Sequence, residues 1–274
     1  IIAFNHHWRF KDEFRKEFVD PKFQDQAWTK VNLPHANREV PYNYFDEKDY
    51  QFISTYRKSF TVDQKNKGKR IFVDFGAVMT YAEVYLNGQF VGNHKGGYTP
   101  FSCDLTDHVK FGEENVLTVK VDSTERPDIP PFGHVIDYLC FGGIYREVDL
   151  RIVDPFYIKN VFAQPEDVLE EKKQLLTKVF LANTGQDEKT VSVRINLEKD
   201  GKLIASTVTK AQLSAGTEAV TDVYLKNLED IALWGIDHPE LYDLTVSLLR
   251  DNSEFDRFST RIGFREAVVK PDGF

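Results

Sequence analysis

Sulfur is nearly absent from this chain of 274 residues, which has one Met and two Cys, Cys103 and Cys140. Two cysteines give neither a disulfide framework nor metal-ligand spacing. Each stands among apolar neighbours, the setting of a buried thiol, although a single pairing of the two stays open. A basic cluster is lacking as well. The 35 Lys and Arg are outnumbered by 43 Asp and Glu, for a net charge of −8, whereas nucleic acid and anionic membrane both need cations to meet phosphate. The nearest thing to a basic run, Lys65, Lys67, Lys69 and Arg70, straddles Gly68 between two strand-like segments and reads as a solvated turn. No apolar run approaches the ~20 residues of a membrane-spanning helix, and no signal-peptide pattern is visible. The chain opens on Ile1 without a Met, so localisation is left open. Long runs of helical spacing with caps are missing too.

What is present is aromatic and alternating. Phe and Tyr number 22 and 12, and flat rings pack well on a pleated surface. Val191, Val193, Ile195 and Leu197 alternate with polar residues, as do Tyr242, Leu244, Val246 and Leu248, the period of a half-buried strand. The run from Thr80 to Leu86, then Asn87-Gly88, then Gln89 to Gly92 reads as a hairpin, because Asn-Gly supplies the positive φ of a tight turn. Pro155 cannot continue the ladder of a strand-like run over 145–153, which places a boundary near Asp154-Pro155. Beyond it, residues 157–263 give about seven strand-like runs, an immunoglobulin-like sandwich of the usual ~100 residues. The predicted fold class is all-β, two sandwiches in series.

An ordered series of motifs goes further. It runs Trp28-x-x-Val31-x-Leu33-Pro34-His35, Tyr56-Arg57-x-x-Phe60, Phe75-Gly76-Ala77 and Ala82-x-Val84-Tyr85-x-Asn87-Gly88. It continues through Gly96-Gly97-Tyr98-Thr99-Pro100-Phe101, Asp104-Leu105-Thr106 and Gly143-Ile144-Tyr145-Arg146-Glu147-Val148 to Leu233-Trp234-x-x-Asp237-x-Pro239-x-Leu241-Tyr242 and Gly263-Phe264-Arg265. In this order, across nearly the whole chain, it resembles the family 2 glycoside hydrolases, the β-galactosidase and β-glucuronidase group. The resemblance implies a jelly-roll sugar-binding domain over 1–154 and an immunoglobulin-like β-sandwich over 155–265. Residues 266–274 would begin the linker to a (β/α)8 catalytic barrel that lies outside these residues. Most motif residues read as structural: Phe75, Val84 and Tyr85 as sandwich core, Trp28 and Trp234 as apolar anchors, Arg57 and Arg146 as partners for carboxylates.

The catalytic equipment is not here. Retaining glycosidases need two carboxyl groups about 5–5.5 Å apart, and the family's acid/base follows an Asn in an Asn-Glu dipeptide, which does not occur in this sequence. The adjacent His6-His7 offers no zinc face, no nucleophile elbow is present, and these 274 residues alone are expected to be inactive. The resemblance does single out Asp137, six residues before Gly143, as the aspartate that reaches the edge of the barrel site. A carboxylate accepts several hydroxyl hydrogen bonds at once; an ordinary loop aspartate is the competing reading. The loop over 36–52 is the second candidate. Its Asn43, Tyr44 and Asp46, with Tyr42, Phe45, Tyr50 and Phe52, could stack on sugar faces and read hydroxyls, or its rings could pack within the domain or against the barrel.

The resemblance requires no cofactor for the chemistry, with Mg²⁺ or Na⁺ near the site in a full-length parent. It implies a β-linked sugar as partner through the barrel and allows a homo-oligomeric parent. A β-galactosidase is the first expectation, with β-glucuronidase, β-mannosidase or a free-standing carbohydrate-binding module as rivals.

Overall fold

The structure is a computed structural model and describes residues 1–133, 138–269 and 271. The chain divides into two compact units, residues 1–152 and 153–274. The first unit contains β1 (Ile2–Ala3), β2 (Trp8–Lys11), β3 (Thr29–Val31), β4 (Ile53–Thr61), β5 (Arg70–Phe75), β6 (Tyr81–Leu86), β7 (Gln89–Lys95), β8 (Phe101–Asp104), β9 (Glu114–Asp122) and β10 (Val148–Val153). The last of these begins three residues later than the strand-like run in the sequence. Six strands in the order β3-β2-β4-β9-β6-β7 face four in the order β1-β10-β5-β8. This is the jelly-roll sandwich. Its helical content among the described residues is three short 3₁₀ turns, at Lys16–Val19, Glu47–Asp49 and Gln64–Asn66.

The alternation read from the sequence decides which side chains enter this core. On β6, Ala82, Val84 and Leu86 are buried while Tyr81, Glu83 and Tyr85 face the other way. Tyr85 is therefore not a core residue: its hydroxyl donates to Glu83 Oε2 at 2.6 Å on the outer face. The hairpin forms at Asn87-Gly88, with φ of 51° and 87°, the positive pair that its turn demands. Arg57 is fully buried with its Nε donating to Asp25 Oδ2 at 2.8 Å. Its Nη1 donates to the carbonyls of Phe18 and Asp20. It thus caps an irregular loop whose Phe18 and Phe23 rings pack on Trp28, at 4.8 Å and 5.8 Å. A buried guanidinium is tolerated because its donors are matched in this way.

Among its described residues the second unit contains seven strands: β11 (Phe156–Glu166), β12 (Lys173–Asn183), β13 (Lys189–Lys199), β14 (Lys202–Leu213), β15 (Thr217–Leu228), β16 (Tyr242–Arg250) and β17 (Ser253–Ile262). They form sheets β11-β12-β15 and β14-β13-β16-β17, an immunoglobulin-like sandwich. Leu175, Val179, Leu181, Val193, Ile195, Leu244, Val246 and Leu248 meet in its core. Its last motif closes this unit. Trp234 N–H donates to the carbonyl of Phe264 at 2.9 Å, Phe264 packs edge-on against Tyr242 at 5.4 Å, and Arg265 lies over the Trp234 ring at 4.8 Å. Gly263 has to be glycine, since a Cβ there would stand 2.9 Å from Trp234 Cβ.

Candidate functional site

Two long connections meet at one end of the jelly roll: residues 32–52, between β3 and β4, and residues 123–147, between β9 and β10. Each is tied to the other by backbone hydrogen bonds near its base. His35 N–H donates to Ile144 O and Asn37 N–H to Gly142 O, both at 2.8 Å. Buried Asn37 crosses between the two, donating from Nδ2 to Tyr50 O at 2.9 Å and to Ser123 Oγ at 3.4 Å. Ser123 Oγ donates onward to Met79 O at 3.1 Å. The chains run so close here that side chains are excluded. A Cβ on Gly142 would overlap Ser123 Oγ and sit 2.6 Å from Asn37 Nδ2. Gly143 has φ of 120°, a left-handed value open to glycine.

Residues 123–133 are braced from both sides. Arg126 stacks over Tyr81 at 4.8 Å and pairs with Asp128 at 3.1 Å, and Lys95 reaches Asp128 at 2.6 Å. The hydrogen bond from Arg126 and then that from Lys95 hold the Asp128 carboxyl down at about 2. Ile129 is buried, and Glu125 Oε1 accepts from Gly133 N–H at 2.6 Å. This cross-linking leads the chain to the segment that carries Asp137. Asp137 itself lies outside the described residues.

The other connection places its residues in two ways. Tyr50 is buried and its ring lies 5.2 Å from Phe141 and 6.5 Å from Phe45, so Tyr50 packs within the domain. Arg38 covers Phe52 at 5.3 Å. Asp46 caps the short turn after it, accepting from Lys48 N–H at 2.7 Å while its own N–H donates to Asp49 Oδ2 at 2.9 Å. Asn43 is exposed, and Tyr42 and Tyr44 are 96% and 102% exposed. Tyr44 has φ of 64°, in the left-handed region where non-glycine residues are uncommon.

Between the two connections lies a recess lined by residues of both: Glu47, Tyr50 and Gln51 on one side, Ser123, Glu125, Arg126, Tyr138 and Cys140 on the other. The recess holds only about 20 Å³, room for a single water, so it is a polar joint between the two connections, with Tyr138 exposed at its edge. Burial pushes the Cys140 thiol up, and the Tyr98 hydroxyl near it at 4.0 Å is raised for the same reason. Glu47, Gln51, Glu125, Arg126 and Tyr138 escaped the sequence reading, because nothing in their local patterns shows that residues 47 and 125 meet. The Gly142-Gly143 pair was a usable signal of the close approach. Among the described residues no group of three or more His, Cys, Asp or Glu could hold a metal ion.

A jelly roll followed by an immunoglobulin-like sandwich sets the class of fold, all-β with two sandwiches in series, and a fold alone does not carry a function. The family models make the assignment. Residues 4–153 match the model described as glycosyl hydrolases family 2, sugar binding domain, and residues 156–265 match glycosyl hydrolases family 2. The chain belongs to glycosyl hydrolase family 2. It is 43% identical, over its whole length, to a beta-galactosidase of Thermoanaerobacterium thermosulfurigenes, of which it covers 38%. It is 38% identical to a beta-galactosidase of Thermoanaerobacter pseudethanolicus, of which it covers 36%. Among solved structures, beta-glucuronidase 2 of Bacteroides uniformis superposes with a TM-score of 0.86 at 28% identity, covering 96% of this chain and 32% of that one. The chain thus spans about a third of these relatives' length, from 32% to 38%, and corresponds to the N-terminal region of the family.

Proposed function

We propose that this chain is the accessory region of a retaining β-galactosidase, bracing a (β/α)8 catalytic barrel and lending residues to one wall of its sugar pocket. The observation that carries the reading is the 43% identity to a beta-galactosidase across the entire chain, against 28% to a beta-glucuronidase of comparable coverage. In this reading Asp137 and the exposed Asn43 and Tyr44 face bound sugar. The braced segment 123–133 sets the approach of Asp137, and Asp46 shapes the turn behind Tyr44. The two catalytic glutamates come from the barrel, so residues 1–274 turn over nothing alone. The chemistry needs no cofactor, and a Mg²⁺ or Na⁺ near the site of the full-length parent is what the family resemblance allows.

The test is kinetic. The full-length protein is assayed on nitrophenyl β-galactoside, β-glucuronide and β-mannoside, with residues 1–274 in parallel. The expected result is a kcat/KM for the galactoside at least about 100-fold above the others, a discrimination of roughly 2.7 kcal/mol, and no turnover by residues 1–274. A preference for the glucuronide would move the parent to the β-glucuronidases. Full-length protein that binds glycans and cleaves none would make it a carbohydrate-binding module.

A further inference from the structure

The outer face of the six-stranded sheet in the first unit is partly covered by residues 12–28, which run between β2 and β3. Buried Arg57 holds that cover in place through the carbonyls of Phe18 and Asp20 and the Asp25 carboxylate. Between Phe14, Val19 and Pro21 of the cover and the outward Tyr85 of β6 runs an open groove of about 550 Å³, within the ~300–1,000 Å³ of small-molecule sites. Lys16 and Asp20 complete the lining of that wall. The two walls are tied together. Lys120 of β9 donates to Glu83 Oε1 at 2.9 Å and lies over the Phe14 ring at 5.1 Å, while Glu83 Oε2 accepts from the Tyr85 hydroxyl. The Tyr85 wall is also widened by a second ring. β7 has one residue too many opposite β6, since Val84 pairs with Gly92 and Tyr85 with Phe90. Such a bulge re-aims a side chain. Here it sets Phe90 beside Tyr85, with ring centroids 5.6 Å apart and Phe90 half exposed.

The geometry points to this groove as a saccharide-binding site of its own, apart from the proposed sugar pocket, and its ligand as a neutral oligosaccharide. A pyranose offers an apolar face of C–H groups and a rim of hydroxyls. Tyr85, Phe14 and Phe90 supply rings for the face; the Asp20 carboxylate accepts from hydroxyls and the Lys16 ammonium donates to them. Charges cancel along the lining, Lys16 against Asp20 and Lys120 against Glu83, so no field selects an anion. Arg57 and Lys120 hold the walls in advance, which leaves little ordering to oppose binding. The groove is distinct from the loops that carry Tyr44 and Asp137. Arg126 of those loops stacks on Tyr81, and Tyr85 lies four residues further along β6, roughly 13 Å away at the rise of a strand. Its role is to hold the protein on a glycan chain and not to take part in bond cleavage, so the site stands whichever glycoside the parent cleaves.

Titration of the isotope-labelled 274-residue chain with lactose, followed by amide NMR, reads the groove directly. The amide peaks of Lys16, Val19, Tyr85, Gly88 and Phe90 are expected to shift saturably, with a millimolar dissociation constant. Tyr85→Ala should then weaken binding at least about tenfold, while Tyr85→Phe, which keeps the ring, should stay within about threefold. Tyr85 points away from the core, so both variants are expected to fold. The absence of any saturable shift at tens of millimolar lactose would overturn the site, and so would shifts confined to residues 32–52 and 123–147. Binding that survives Tyr85→Ala but is lost in Tyr44→Ala would overturn it in favour of those loops. Tighter binding of sulfated lactose at the groove peaks would overturn the neutral ligand. None of these readouts needs turnover, so a failed assay on nitrophenyl glycosides removes the proposed glycosidase and leaves the groove to be judged by its own peaks.

Discussion

At the scale of single residues, the candidate site depends on contacts too close for ordinary side chains. Gly142→Ala would drive a methyl into Ser123 Oγ and against Asn37 Nδ2, the two groups that tie residues 32–52 to residues 123–147. Overpacking of this kind costs about 1–3 kcal/mol. The expected result is a lower urea midpoint with an unchanged slope, measured by equilibrium denaturation of the 274-residue chain; an unchanged midpoint would show that the joint yields freely. His35 supplies the pH dependence. Its Nδ1 lies 2.8 Å from the Tyr56 hydroxyl, which burial keeps protonated; in the tautomer whose Nδ1 accepts from that hydroxyl the ring is neutral. Burial lowers the His35 pKa below its usual value, with Glu39 opposing. A depressed folded-state pKa gives stability that is present above the unfolded value near about 6.5 and is lost as pH falls below it. His35→Asn keeps an acceptor and removes the titration. The wild-type urea midpoint should fall more steeply than that of the variant between neutral pH and pH 5, and parallel curves would dismiss His35 as the source.

At the scale of elements, connections do what strands cannot. The sandwich strands follow the alternation apart from local register shifts, as between Val84 and Tyr85 or Leu248 and Leu249. The connections over 32–52 and 123–147 instead carry buried Asn37, buried Ile129 and the Arg126–Asp128–Lys95 network. Polar groups inside a loop fix its path because each must be hydrogen-bonded. In the proposed function that path delivers Asp137 to bound sugar. Asp137→Ala in the full-length protein should cost about 1.5–3 kcal/mol of transition-state stabilisation, roughly a 10- to 150-fold loss in kcat/KM. The melting temperature should hardly move if Asp137 serves the ligand and not the fold, a change within about 0.5 kcal/mol. Steady-state kinetics beside thermal melting decides it, and a kcat/KM within twofold of wild type would return Asp137 to an ordinary loop aspartate.

At the scale of the whole molecule, alternation and punctuation were enough to determine an all-β chain, the Asn87-Gly88 hairpin and the core positions of β13 and β16. Period-two patterning is local and needs no partner to be read. The ordered motifs determined the family, because turns, glycines at close approaches and buried anchors recur wherever the same two sandwiches are built. Tertiary structure decided the rest. It turned Tyr85 outward, because β6 buries Ala82, Val84 and Leu86 instead. Burial made Tyr50 a packing residue while leaving Tyr42 and Tyr44 in solvent, although all three sit in one aromatic stretch. It brought Glu47 and Gln51 to Glu125 and Arg126 across more than seventy residues of sequence, a proximity that no local pattern records. One strand's outward residues gain meaning only from the strands hydrogen-bonded beside it, and that pairing is a property of the folded chain.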